Sequence, residues 1–555
     1  MASSILLSSP SSLPIIRKLP SRLLFRARRL QQQLPGTPTA PIASASSLPS
    51  GKRNTQSLMT VPNNNTNQDG NKTPPTAAGS GPSPHAQGTP PQRPKLHGRA
   101  FYQKIGSPRR IVAPMVDASD LAWRILSRKH NADAGYSPMF HAKHFAGDSY
   151  RRQALHHAPP ESLKTNDGDS ALDRPLLIQF CANDPDHLLT AARFAQDHCD
   201  AVDLNLGCPQ GIARKGHYGA FLQEEPDLIY KLINTLHKEL DIPITAKIRV
   251  LETKEKTLEY AKMVLKAGAS ILTVHGRRRD QKSHNTGLAD WTYIRYLRDN
   301  LPPETVIFAN GNILYNTDVE ACLEATGADG VMCAETNLYN PAIFVPVTAS
   351  FEERFPRVDV MCRQYLQIVQ DITFGVGQPI VELSREQVRE NPSMASIKSH
   401  LFRLLHAVFT KQENHFIRNK LGKAHGSRFG EILDIANDLE KVVEEQLKLT
   451  PETPEQWEEI MSKAGGSGAD AKVLPIPWWR CQPYVRPTPE QAYENGAMQK
   501  SKKQLKETKR ALDTEPESTT SDGKEDLPVK RQKLDENIIV EQADQLATLD
   551  PKLAG

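Results

Sequence analysis

The chain is almost empty of acid at its start: among its 555 residues, no Asp or Glu precedes Asp69. That opening instead holds serines and the bases Arg17, Lys18, Arg22, Arg26, Arg28 and Arg29 among Ile15, Ile16, Leu23, Leu24 and Phe25. This is the composition of an organellar transit peptide, with a basic leader of no fixed structure as the plain alternative. Initiation at Met59 would discard it. Cysteine is scarce as well. Cys181, Cys199, Cys208, Cys322, Cys333, Cys362 and Cys481 include no CxxC pair and no Cys/His spacing suited to zinc. No metal is expected, and a reducing compartment without disulfides is. No apolar run reaches the roughly 18 residues that span a bilayer, so no membrane is expected. The net charge of +5 is small for this length, so a polyanionic partner has to be argued from local clusters. No GxGxxG follows the first strand-like run, which counts against a doubly wound dinucleotide-binding sheet.

The 42 prolines gather toward the ends, and much of the chain is not expected to pack. Residues 1–98 read as a disordered leader and 491–555 as a disordered basic and acidic tail. Within the tail, KSKKQLKETKR (Lys500 to Arg510) and PVKRQKL (Pro528 to Leu534) read as nuclear-import addresses. The expected location is cytoplasmic, nuclear or both, with a mitochondrial form if the leader acts. In between, short apolar runs alternate with amphipathic stretches. Strands are expected at Arg110 to Met115, Ala134 to Met139, Pro175 to Phe180, Ala201 to Gly207, Pro243 to Val250, Ile271 to Gly276, Thr305 to Asn310 and Gly330 to Ala334. Helices are expected at Leu121 to Lys129, Pro185 to His198, Glu225 to Leu240, Leu258 to Ala267, Thr292 to Asn300 and Asp318 to Thr326. Such alternation implies parallel pairing, and the fold class is α/β, a (β/α)8 TIM barrel over 99–345. A smaller all-α domain over 346–450 and a Pro/Trp-containing strap over 451–490 follow. PIPWWRCQPYVRP (Pro475 to Pro487) is read as packing back on the folded part, with a peptide motif for another protein as the alternative.

In such a barrel, chemistry sits at the carboxyl ends of the strands. There the chain places Pro114, Met115 and Val116, then Gln179, then Asn205 and Cys208, then Lys247 and Arg249. His275 with Arg277, Asn310 to Asn312, and Ala334 with Glu335 complete the ring. The alternation in ITAKIRV puts Thr245, Lys247 and Arg249 on one face, and a Lys facing a barrel interior needs an anionic partner. Gly276 lets a ligand approach the backbone beside His275. Asn310-Gly311-Asn312 and Ala334-Glu335 stand where this architecture usually holds a phosphate. A cation, an amide, a His and a phosphate cradle suit flavin mononucleotide, FMN, whose reduced anion a nearby positive charge stabilises. In VDLNLGCPQGIARKGHYGAFL the chain leaves a strand through Gly207, putting Cys208 on the mouth loop. A thiol with an ordinary pKa near 8.5 is a suitable proton donor to a carbon beside a hydride-accepting one. Pro209, Gly211, Gly216 and Gly219 shape a sharply bent loop. The remaining cysteines read as small core residues.

Asn205 reads as a hydrogen-bond partner of substrate or flavin, or as a loop-stabilising residue. Arg214, Lys215 and His217 either steer phosphates or form a solvated basic loop. Arg277, Arg278, Arg279 and Lys282 make the densest basic cluster near the mouth. From 391 to 430, Lys398, Arg403, Lys411, Arg418, Lys420, Lys423 and Arg428 face Glu413 alone. SIKSHLFRLLHAVFT meanwhile puts Ile397, Leu401, Leu404, Leu405 and Val408 on one helical face, so the other face is expected to be basic and to contact RNA backbone.

Together IVAPMVDASDLAWRILSRKH, YSPMFHAKHF, IQFCANDPDHLL, DLNLGCPQGIARKGHYGAFL, ITAKIRV, LTVHGRRRDQKSHNTGLADW and FANGNI resemble the flavin-dependent tRNA-dihydrouridine synthases. Within that family they are similar to the eukaryotic branch acting on uridines 16 and 17 of the D-loop. The resemblance implies that Pro114, Met115, Val116, Gln179, Lys247, His275, Asn310, Gly311, Asn312, Ala334 and Glu335 bind FMN. It implies that Cys208 protonates C5 of uracil after hydride reaches C6, with NADPH, or NADH, as reductant. It also implies a helical domain that holds tRNA. Many members carry a Gly-Arg pair where this chain has Ala334-Glu335. A uridine stacked in folded tRNA must swing out to reach the barrel mouth. The rival readings are a small-molecule barrel reductase of the dihydroorotate or enoate type, which needs no basic helical domain, and a catalytically idle RNA-binding barrel. A monomer is expected.

Overall fold

The computed structural model describes residues 95–147, 171–282, 287–462 and 474–484. Most of the expected leader, the tail and both nuclear-import candidates lie outside the described residues. The strands are β1 (Arg110–Val112), β2 (Ala134–Tyr136), β3 (Phe140–His141), β4 (Leu176–Cys181), β5 (Ala201–Leu206), β6 (Ile244–Arg249), β7 (Ala269–His275), β8 (Val306–Asn310) and β9 (Gly330–Cys333). Every pairing among them is parallel; β1 pairs with β9 and β2, β2 with β4, and β4 through β9 pair in sequence. Eight strands thus close a barrel, and the open doubly wound sheet is excluded. β3 lies outside the ring, extending the ladder beside the upper part of β4. The expected second strand, 134–139, is therefore two pieces: Pro138 has no N–H to donate and interrupts the ladder between them.

Helices Leu121–Lys129, Pro185–Ala195, Pro226–Glu239, Lys254–Lys266, Trp291–Asn300 and Asn316–Thr326 separate the strands. Asp184, Thr253 and Asp290 cap three of them by accepting from backbone N–H groups of His187, Lys256 and Thr292. The Thr253 cap starts its helix four residues before the expected Leu258, because a charged first turn carries no apolar stripe. Strand residues alternate between two buried environments. Val202, Leu204, Leu206, Ala246, Ile248, Leu272 and Val274 meet the helices outside. Inside, Ile111, Ala134, Leu177, Ala201, Ile271, Val306, Phe308 and Met332 fill the lower end, closed by Phe101 and Tyr102 from helix Gly98–Lys104. Lys95 and His97 bond to carbonyls of Leu240 and Gly268, so the folded part begins ahead of the expected boundary at 98/99.

The helices after the barrel, chiefly Val358–Phe374, Pro392–Leu404, His415–Lys423 and Phe429–Leu449, share one apolar cluster with its outer layer. Trp123 stacks on His400 with ring centroids 4.0 Å apart, and His400 Nε2 lies 2.7 Å from Asp120 Oδ1. Residues 474–484 pack back as a strap: Leu474 and Ile476 join Tyr315, Phe351, Phe355 and Trp457. Arg480 pairs with Glu452, and Tyr484 stacks on Tyr339 at 4.5 Å. Among the described residues, no helix is long and apolar enough to cross a membrane, and no group of His, Cys, Asp or Glu is placed to hold a metal ion.

Candidate active site

Above the apolar floor the barrel interior turns polar. Register sets Gln179 opposite Asp203, Asp203 opposite Thr245, and Asn205 opposite Lys247, so these side chains meet inside. Thr245 Oγ1 donates to Asp203 Oδ1 at 2.6 Å, and Gln179 Nε2 donates to Asp203 Oδ2 at 2.8 Å. Asn205 Nδ2 donates to Gln179 Oε1 at 2.8 Å, while its Oδ1 accepts from the N–H groups of Gly207 at 3.0 Å and Cys208 at 2.9 Å. Burial pushes the Asp203 carboxyl up to about 6, against the opposing pull of Thr245, Gln179 and Lys247. Burial and then the like charge of Arg249 bring the Lys247 ammonium down to about 8. Lys247 is half-buried, and its ammonium makes no hydrogen bond or ion pair with another described residue. A cation held in a barrel mouth without a partner fits an anionic or strongly polar ligand.

Cys208 follows directly. Burial raises its thiol above the ordinary value, with the Gln210 N–H, Arg249, Lys247 and Lys282 pulling the other way, so it is protonated at neutral pH. Its loop is pinned from several sides. Arg249 Nε donates to Gly207 O at 2.7 Å, Lys282 Nζ to Pro209 O at 2.8 Å, and Arg279 to Ala220 O at 3.0 Å while also pairing with Glu224. Within the loop, residues read as irregular form a helix, Gly211–Gly216, that ends in a left-handed His217. Gly219 has φ +67, and a Cβ there would lie 2.9 Å from Cys208 O. Cys181 packs with Tyr218 and Ala213 beside Cys208, its thiol raised by burial.

Other expected positions divide into three groups. Met115 is buried, Pro114 half-buried and Val116 exposed at the rim. His275 Nε2 lies 3.1 Å from Arg277, and Asn310 Nδ2 donates to Met332 O at 2.9 Å. Gly311 has φ +116, where a Cβ would come within 2.6 Å of Ala289. Ala334 caps a short helix, Glu335–Tyr339, whose first turn is acidic. Of the two readings of Asn205, the loop-stabilising one is seen here, its Oδ1 accepting from the Gly207 and Cys208 N–H groups, and the Asn312 amide is engaged by Ala289 and Arg277. Gln179 likewise has both ends of its amide held within the barrel wall.

The basic positions differ in what they contact. Arg214 and Lys215 are exposed on a helix and without a carboxylate partner among the described residues. Arg277 contacts Asn312 and the Gly287 carbonyl, and Arg278 pairs with Asp280, so the 277–282 cluster is largely an internal clamp. Lys398 donates to the carbonyls of Gly422 and Ala424 at a helix end, and Lys420 pairs with Asp438. The window counted from 391 to 430 missed that acid, which lies beyond it. Arg418 has no carboxylate partner among the described residues, and Arg403 lies in the field of Tyr339, Glu335 and Asp117, bringing the helical part toward the mouth. The residue that sequence reasoning passed over is Asp203, and Thr245 was placed on the inward face without a role. Asp203 lies two positions before Asn205 on the same strand, so the alternation that placed Thr245 beside Lys247 was signal enough.

A family model described as Dihydrouridine synthase (Dus) matches residues 111–434. The chain is 50% identical over 396 residues to the tRNA-dihydrouridine(16/17) synthase (NAD(P)(+)) of Saccharomyces cerevisiae, covering 71% of this chain and 87% of that one. To the protein of the same description from Schizosaccharomyces pombe it is 48% identical, over 71% of this chain and 92% of that one. Identity to the human tRNA-dihydrouridine(20a/20b) synthase-like protein is 32%, over 44% of this chain and 72% of that one.

Proposed function

Because this chain belongs to the dihydrouridine synthase family, we propose that it reduces the C5–C6 double bond of tRNA uridines, at D-loop positions 16 and 17, with FMN in the barrel mouth and NADPH, or NADH, as reductant. The observation that carries this reading is the Cys208 thiol on a loop clamped by Arg249, Lys282 and Arg279, near a Lys247 ammonium that makes no hydrogen bond or ion pair with another described residue. Bound in the mouth and reduced by the nicotinamide, a flavin there would supply the hydride for C6 of the uracil. Cys208 delivers the proton to C5, so one hydride and one proton complete the saturated ring and the thiolate is reprotonated from solvent. The fields of Arg249, Lys247 and Lys282 favour that transient thiolate. Lys247 would offset negative charge on the bound cofactor, and the glycine at 311 would let the backbone after β8 turn toward its phosphate.

Arg214 and Lys215 beside the mouth, and Arg403 and Arg418 on the helical part, suit phosphates of a folded tRNA whose target base has swung out. Positions 16 and 17 are favoured over 20a and 20b because the relatives named for the former are more similar and are matched over more of this chain. A small-molecule reductase of the dihydroorotate or enoate type has no need of that helical part, which shares the barrel's apolar cluster. The organellar leader and the nuclear addresses remain proposals for location, read from composition alone.

The test is dihydrouridine content, position by position, in tRNA from cells carrying the wild-type protein, none, or Cys208→Ala. Loss confined to D-loop positions 16 and 17 in both mutants is expected. Unchanged dihydrouridine in cells lacking the protein would overturn the assignment.

A further inference from the structure

We propose that Asp203 is a positioning residue: through Gln179 and Asn205 it serves as the terminal acceptor of a directed hydrogen-bond chain that holds the start of the Cys208 loop. The chain has two ends of opposite character. At one end stand the backbone N–H groups of Gly207 and Cys208, which can only donate; at the other stands the Asp203 carboxylate, which accepts at both oxygens, from Thr245 and Gln179. Between them lie two carboxamides, each with one donating and one accepting end. Only one arrangement satisfies both termini. Asn205 turns its oxygen to the loop and its nitrogen to Gln179, and Gln179 turns its nitrogen to Asp203. Reversing either amide sets like poles about 3 Å apart in a dry interior, where an unsatisfied polar group is costly.

Burial makes this direction matter. Asp203, Gln179 and Thr245 are fully buried and Asn205 is 9% exposed, so water does not substitute for a lost link. The loop's other clamps, from Arg249, Lys282 and Arg279, grip carbonyls of Gly207, Pro209 and Ala220. Among the described residues, the side chain that accepts from the N–H groups of Gly207 and Cys208 is Asn205. Asp203 is fully buried and reaches the loop through two side chains, Gln179 and Asn205, while its charge also acts on the Lys247 ammonium. This deepens the function proposed above, resting on that reading only for what Cys208 does.

The test exchanges the chain's two polarity-setting residues in the full-length flavoprotein. Asn205→Asp removes the donor that faces Gln179 and forces that amide to flip toward it, turning the Gln179 oxygen against the Asp203 carboxylate. The double variant Asp203→Asn/Asn205→Asp accommodates the flip, because a carboxamide at 203 offers an N–H to that oxygen. Both carry the same new carboxylate beside Lys247, so their difference isolates position 203. Asp203→Asn alone keeps the original direction, presenting its oxygen to Gln179 and its nitrogen to the Thr245 hydroxyl, whereas Asp203→Leu removes both acceptors.

Two readouts report the loop without turnover: hydrogen exchange of the peptide containing Gly207 and Cys208, and the rate at which iodoacetamide labels Cys208. Asn205→Asp and Asp203→Leu are expected to speed exchange about tenfold or more, with Asp203→Asn and the double variant within about threefold of wild type. Alkylation should follow the same order. A double variant no better protected than Asn205→Asp, or Asp203→Leu as protected as wild type, would overturn the proposal. If Asn205→Asp does not fold, recovery of folding by the double variant supports it and failure of both counts against it. Dihydrouridine assays on the same proteins keep the two questions apart: a wild type that makes none sinks the proposed function, while the exchange pattern still decides the role of Asp203.

Discussion

Gly219 offers the sharpest test of how the Cys208 loop is built. Its φ is +67, and an added Cβ would lie 2.9 Å from Cys208 O, 3.0 Å from Cys208 Cβ and 3.2 Å from Cys208 N. Gly219→Ala therefore meets two separate costs. A left-handed conformation costs a non-glycine residue roughly 1–2 kcal/mol. The contacts also fall on backbone, which cannot rotate away, so Cys208 has to move by about half an ångström to restore ordinary van der Waals distance. A displacement of about 1 Å in a reacting group is enough for a hundredfold loss of rate, so a fall of about ten- to a hundredfold in turnover is expected. Melting should drop by only a few degrees. The assay is single-turnover formation of dihydrouridine in unmodified tRNA by pre-reduced enzyme, beside a thermal melt. Gly211→Ala is the control, since nothing lies within 4 Å of a Cβ there and its φ is ordinary; it should stay within about twofold of wild type. Gly219→Ala turning over at the wild-type rate with unchanged melting would refute the reasoning.

Asp203→Asn is expected to raise stability at pH 7.5. The folded carboxyl is raised from 3.8 to about 6, so the folded state holds a proton that the unfolded chain releases in that window. Stability is thus lost as pH rises from about 4 to 6, by about 3 kcal/mol, and a neutral isostere avoids the loss. A lower melting temperature for the variant at pH 7.5 would contradict this. Lys247 behaves oppositely: lowered to about 8, it binds fewer protons folded than unfolded between pH 8 and 10.5, so its contribution to ligand-free stability increases with pH through that window. Affinity for flavin, measured by fluorescence, should weaken by up to about tenfold per pH unit above 8; a flat profile would show that the ammonium does not meet the ligand. Arg214→Glu and Lys215→Glu should each weaken tRNA binding and lower its salt slope by about one, while Lys398→Ala, which loses a helix-end contact, should lower melting more than affinity.

Much of the barrel is legible from the chain alone because its signals are local. Caps such as Asp184 and Thr253 act within three residues, and apolar runs of strand length alternate with amphipathic helices. The period of two in ITAKIRV points Lys247 inward, and the run VDLNLGCP delivers Cys208 to the end of a strand. Sequence alone therefore determined the α/β alternation, the inward residues and the thiol at the mouth, since each depends on backbone geometry a few residues long. Where a local rule was overridden, a neighbour did it: Pro138 splits a strand, and the glycines around Ala213 turn out to bracket a helix.

Partnership was decided elsewhere. Lys282 grips Pro209 across 73 positions, Arg279 reaches Glu224 across 55, and Asn205 meets Gln179 across 26. These pairings gave Arg279 and Lys282 of the basic cluster a second part, as clamps on the reactive loop. They also showed Asn205 bracing the loop, one of its two readings, and drew Lys398 and Lys420 into the helical part's own framework. Which donor meets which acceptor depends on the register at which eight strands close. That closure is a property of the whole ring, satisfied by buried groups that must each find a partner, and no short window of residues encodes it.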